Sequence, residues 1–66
     1  MWVWLTPVDH EGCRWRLEVW PGGRVRVFRM TNRWVSNAPL GDVRDIEALG
    51  AWLVERGIDP DQLTAA

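Results

Sequence analysis

The stretch "RWRLEVWPGGRVRVFRM", Arg14 to Met30, alternates almost without interruption. Successive side chains of a strand point to opposite faces. Trp15, Leu17, Val19, Val25 and Val27 therefore form one face, and Arg14, Arg16, Glu18, Arg26, Phe28 and Met30 the other. If Pro21–Gly23 close a three-residue hairpin loop, Trp20 faces Arg24, Val19 faces Val25, Glu18 faces Arg26 and Leu17 faces Val27. Apolar then meets apolar on one side and opposite charges meet on the other. A slip of one residue would destroy both matches. The stretch reads as an antiparallel hairpin.

Working towards the N-terminus, "WVWLTPV" (Trp2–Val8) reads as a strand, with Pro7 placing its far end at an edge or a bend. With His10–Gly12 as the loop, Val3 faces Val19, Leu5 faces Leu17 and Trp2 faces Trp20. The result is a three-stranded antiparallel meander with the second strand in the centre. Beyond Met30, Thr31 and Asn32 suit a turn, Arg33–Ser36 suit a short fourth strand or an extended loop, and Asn37–Gly41 a connector. The period then changes to 3.6. "DVRDIEALGAWLVERG" predicts a helix over about 42–57, with Asp42 as N-cap and Gly57 and Ile58 as its C-terminal stop. Val43, Ile46, Leu49, Gly50, Leu53 and Val54 share one arc, which is expected to lie on the inner sheet face. Gly50 is expected where Trp15 presses close. "DPDQL" (Asp59–Leu63) reads as a capped final turn with Pro60 at N1. The fold class is α+β, in two layers. Residues 1–66 form a single small domain: sheet over about 2–36, one C-terminal helix over about 42–57, and a turn or tail over 58–66.

The helix covers one sheet face. The other is expected to carry Trp2, Trp4, Arg14, Arg16, Glu18, Trp20, Arg24, Arg26, Phe28 and Met30. Arginines interleaved with aromatics are unusual for a solvated sheet. Three readings account for them. The Thr31–Gly41 segment and the tail fold over the face, with arginines stacked on rings. A protein or a second copy covers it. Or nucleic acid binds there, arginine meeting phosphate or guanine and aromatics meeting bases.

A three-stranded antiparallel sheet backed by one helix, with "RWRLEV" (Arg14–Val19), "RVRVF" (Arg24–Phe28) and "IEALGAWL" (Ile46–Leu53) in this order, resembles the DNA-binding domain of plant ethylene-response factors. It also resembles the arm-binding domain of tyrosine recombinases. The resemblance covers roughly residues 13–56. It implies DNA contacts by Arg14, Arg16, Arg24 and Arg26. The chain departs from the pattern in its long "TNRWVSNAPLG" joint and in its net charge of −1.

That net charge conceals a split. Residues 1–37 carry six arginines against Asp9, Glu11 and Glu18, a balance of +3; residues 38–66 carry two arginines against six acids, a balance of −4. The split suits a basic face backed by an acidic one, or two copies attracting head to tail. At 66 residues the core is marginal. The single Cys13 excludes an internal disulfide, and six tryptophans substitute as large core side chains. "MWVWL" has no basic n-region and no stretch is long enough to span a bilayer, so the expectation is a cytoplasmic protein without a membrane partner.

"DHEGC" gathers Asp9, His10, Glu11 and Cys13, all able to ligate a metal or move a proton. They are also ordinary hairpin-tip residues, with Cys13 expected to point inward. His10 is the single histidine and there is no second cluster. The expectation is no metal, no cofactor, no small-molecule substrate and no enzymatic activity. Trp52 falls outside the apolar helical arc, beside Ala48. It is either covered by the C-terminal segment with Arg56 stacked upon it, or, with Ala48, a protein docking spot. The expected function is a small binding or regulatory domain. DNA binding by Arg14, Arg16, Arg24, Arg26, Trp2, Trp4, Trp20 and Phe28 is the first reading. Protein interaction or homodimerisation through the same face, or through Trp52, is the alternative.

Overall fold

The computed structural model describes residues 1–36 and 38–66. Asn37, at the start of the expected connector, lies outside the described residues. The chain forms an α+β domain. Five strands, β1 (Trp2–Leu5), β2 (Arg14–Val19), β3 (Val25–Met30), β4 (Gly41–Val43) and β5 (Thr64–Ala65), make one antiparallel sheet in the order β4-β3-β2-β1-β5. One helix, α1 (Ile46–Glu55), packs on it, and a short 3₁₀ turn spans Pro60–Gln62.

The central hairpin has the register that alternation requires. Leu17 pairs with Val27, Glu18 with Arg26 and Val19 with Val25. Its loop closes through Trp20 N–H donating to the Arg24 carbonyl at 2.8 Å. Leu17, Val25 and Val27 are buried, and with Val19, Val43, Leu49 and Leu53 they form the core.

The first strand departs from expectation. Trp2 pairs with Val19, Trp4 with Leu17 and Leu5 with Arg16. Directly paired residues point to the same side of a sheet. Trp2 and Trp4 therefore lie on the helix side, and Val3 and Leu5 on the outer side, the reverse of the expected arrangement. The reason lies between two hydrogen bonds. Asp9 N–H donates to the Cys13 carbonyl at 2.7 Å, which closes the His10–Gly12 loop, and Thr6 N–H donates to the Trp15 carbonyl at 3.1 Å. Between those pairs lie Pro7 and Val8 on one strand but only Arg14 on the other. One extra residue is a bulge, and it turns every side chain beyond it over. Pro7 contributes no N–H there. The buried Thr6 hydroxyl fills the gap in the ladder by accepting from Trp15 N–H at 2.8 Å.

Among the described residues after β3, Val35 forms an isolated bridge with Met30. These residues run along the edge of β3, with Ser36 N–H donating to the Arg29 carbonyl and Leu40 N–H to that of Val27. The true fourth strand comes later, at Gly41–Val43, inside the range expected to be helical. Val43 pairs with Val25 and is buried. Gly41 faces Val27, whose Cγ2 would stand 3.0 Å from any added Cβ. The helix N-cap is consequently Asp45 rather than Asp42, its carboxylate accepting from Ala48 N–H at 2.8 Å. At the other end Gly57, with φ 71°, and Ile58 supply the expected stop. Ile58 N–H donates to the Leu53 carbonyl and Gly57 N–H to that of Val54, the Schellman pairing. Asp59 caps the 3₁₀ turn with Pro60 at its first position, as expected. The fifth strand that follows, along β1, was not foreseen.

The buried stripe of α1 is also displaced from the expected arc. Leu49 and Leu53 are buried and Ala48 and Trp52 pack against the core, whereas Ile46 and Val54 are exposed. Trp15 presses on Trp52 and not on Gly50. An added Cβ on Gly50 would find no atom within 4 Å. Gly50→Ala is therefore expected to stabilise the domain by about 1 kcal/mol, the helix-propensity difference, readable as a higher urea midpoint with an unchanged slope.

Candidate interaction face

Pairing across the ladders fixes the composition of the outer sheet face. Val3 and Leu5 come from β1; Arg14, Arg16 and Glu18 from β2; Arg26, Phe28 and Met30 from β3; Asp42 from β4. Trp20 joins them at the end of the central hairpin. Among the described residues no helix packs on this side. Val3, Leu5, Phe28 and Met30 remain half-buried there, and Trp20 is exposed.

The arginines do not stand free as a set. Arg16 donates to the Glu18 carboxylate and lies over the Phe28 ring, with its guanidinium carbon 5.8 Å from the ring centroid. Glu18 is buried beneath its neighbours. Arg24, exposed just before β3, approaches Asp42 at 3.4 Å. Arg26 stacks on Trp20 at 5.5 Å. Among the described residues, Arg14 and Arg26 have no carboxylate within 4 Å. A guanidinium paired with a carboxylate has spent the field that would attract a polyanion. The centre of the face is thus an internally neutralised Arg16–Glu18 pair with apolar side chains on both flanks.

The other candidate residues lie elsewhere. Trp2 and Trp4 are on the helix side and exposed, away from Arg14, Arg16 and Arg26. The inner positions Trp15 and Trp52 meet edge to face, with centroids 5.0 Å apart and planes at 82°. Arg29 stacks on Trp15 at 4.8 Å and Arg56 on Trp52 at 3.9 Å. Trp52 and Ala48 both pack against the core, so neither is a free-standing surface residue. The signal for Trp52 was Trp15 itself: two indoles that need burial in so small a chain are natural partners.

Asp9, His10, Glu11 and Cys13 do not converge on one point. Asp9 staples the loop, one carboxylate oxygen accepting from Glu11 N–H at 2.9 Å and Cys13 N–H at 3.0 Å and the other from Arg29. The Cys13 N–H, above all, holds the Asp9 carboxyl below its ordinary range; burial opposes it, and Arg29 and the Glu11 N–H add to the lowering. His10 is exposed beside Glu11. Cys13 is half-exposed rather than part of the core. Among the described residues no three His, Cys, Asp or Glu side chains are grouped to hold a metal ion. No described helix is long and apolar enough to cross a membrane. No family model, curated protein or solved structure matches this chain.

Proposed function

We propose that this chain is a small non-catalytic interaction module that self-associates by stacking its outer sheet face on that of a second copy. The observation that carries the reading is the half-buried apolar flank, Val3 and Leu5 on one side and Phe28 and Met30 on the other, around the paired Arg16 and Glu18. A twofold axis through that pair sets each guanidinium against the second copy's carboxylate, so the face is complementary to itself. A second sheet face covered this way also relieves the marginal core of a 66-residue chain.

Light scattering from micromolar to millimolar protein tests the proposal. The weight-average mass of the parent is expected to rise towards twice that of the chain. Phe28→Arg, which sets a third cation beside Arg16 and Arg26, is expected to stay monomeric with its unfolding otherwise retained. A parent that remains strictly monomeric over that range overturns the proposal.

Nucleic-acid binding is the second reading, and Arg14 and Arg26, which keep no acid partner, favour it. Two phosphate contacts give a log–log salt slope of about −1.8, so affinity for duplex DNA would fall roughly tenfold between about 50 and 200 mM salt. A monomer showing that response would replace the first reading with the second.

A further inference from the structure

Where the edge of α1 meets the first hairpin, a cleft of about 490 Å³ opens beside the Trp15–Trp52 pair. Pro7, Leu40, Ile58 and the Trp15 indole give it apolar walls. Arg29 and Arg56 both line it. Its size lies within the range of small-molecule sites, and so does its composition of apolar walls with a few convergent polar groups.

Two features point to the ligand. The first is hydrogen-bonding capacity. A guanidinium carries five N–H donors in a fixed fork. Among the described residues Arg29 donates to the Asp9 carboxylate and Arg56 to the Trp52 carbonyl at 3.0 Å. Each therefore keeps donors unspent, and each is held in place by stacking on an indole. Donors fixed in advance cost little ordering entropy on binding. The second is charge. Arg29 and Arg56 bring +2 to the lining and Asp9 brings −1, so the lining residues carry a balance of +1; the Glu55 carboxylate, 3.8 Å from Arg56, is exposed and outside the lining. The loop N–H groups and Arg29 hold the Asp9 carboxyl below its ordinary range, so its charge counts at neutral pH. One monovalent anion neutralises that balance, whereas a dianion would overcompensate.

We propose that this cleft binds a small monoanionic carboxylate with an apolar body, its carboxylate held by Arg29 and Arg56 and its body resting between Trp15, Pro7 and Ile58. The site is on the helix side of the sheet, and the proposal does not depend on what the outer face contacts.

The chain supplies its own reporter, because Cys13 lines the same cleft and is the single thiol. The alkylation rate of Cys13 by a maleimide is measured by mass spectrometry with 4-phenylbutyrate, with its neutral amide, and with inorganic phosphate. The carboxylate is expected to slow the reaction several-fold at saturation, the amide to leave it unchanged, and phosphate to protect more weakly than the carboxylate. Arg56→Met keeps an apolar stem over Trp52 and removes the charge; it is expected to weaken the protection at least about tenfold in concentration, the loss of one charged hydrogen bond. Side-chain Nε–Hε resonances of Arg29 and Arg56 in the parent provide a second readout, should that variant not fold, and are expected to shift on titration with the carboxylate. Absence of both protection and shifts, equal protection by the amide, or stronger protection by phosphate overturns the proposal.

Discussion

Trp52→Ala is expected to lower the unfolding free energy by about 3 kcal/mol, near the lower end for a buried tryptophan because the side chain is only half-buried. Three contacts go at once: the edge-to-face meeting with Trp15, the packing against the core, and the Arg56 guanidinium 3.9 Å above the ring. A single small core rarely supplies more than about 3–5 kcal/mol, so the variant should be left with about 0–2 kcal/mol, at the margin of folding. Urea denaturation followed by circular dichroism gives the number. If Trp52 were instead a surface anchor for another protein, the same substitution would leave the midpoint nearly where it was.

Leu17→Ala is expected to cost as much or more, about 3–5 kcal/mol. Leu17 has no solvent exposure and sits on the central strand, between Trp4 on one side and Val27 on the other. The informative comparison is Leu5→Ala. Were Leu5 the cross-strand partner of Leu17, it would belong to the same core and its loss would cost a similar amount. The bulge at Pro7 and Val8 puts it instead opposite Arg16 on the outer face, half-buried. At dilute, monomeric concentration the expected cost is about 1 kcal/mol, the transfer of a partly covered side chain. Equal losses for the two variants, in the same urea experiment, would contradict the register.

How far the sequence could be read depended on how much each segment's pattern constrained its pairing. From Arg14 to Val27, outside the Trp20–Gly23 turn, charged and apolar residues alternate, so a single register satisfies both faces, and the structure has that register. "WVWL" is apolar at all four positions. Either face of it can look inward, so the pattern could not choose, and the choice fell to an extra residue next to a proline. The fourth strand escaped because "GDV" is poor in strand formers and Asp42 imitates a helix cap. Asp45 performs that role three residues later. Strands of two or three residues, such as Thr64–Ala65, have no period to detect. The helical arc was misplaced because the hydrophobic count favoured Ile46 and Val54 over Trp52. The tertiary contact with Trp15 outweighed the wheel. On the outer face, four of the eight candidate contact residues, Arg14, Arg16, Arg26 and Phe28, lie together on the sheet, with Arg24 and Trp20 at its margin. Alternation placed Glu18 among them as well; what it could not convey is that Glu18 pairs with Arg16 and that Asp42 stands beside Arg24.

That neutralisation is what turns the reading from a polyanion surface towards a self-complementary one. Its most direct test is an isotope-filtered NOE experiment on a one-to-one mixture of labelled and unlabelled chains at millimolar concentration. With each guanidinium against the second copy's carboxylate the twofold runs across the strands, so stacked outer faces predict intermolecular cross-peaks that join the Val3 methyls of one copy to the Leu5 methyls of the other and the Phe28 ring of one to the Arg26 side chain of the other. Intermolecular cross-peaks confined to Trp52 and Ala48, or none at all, would contradict the account.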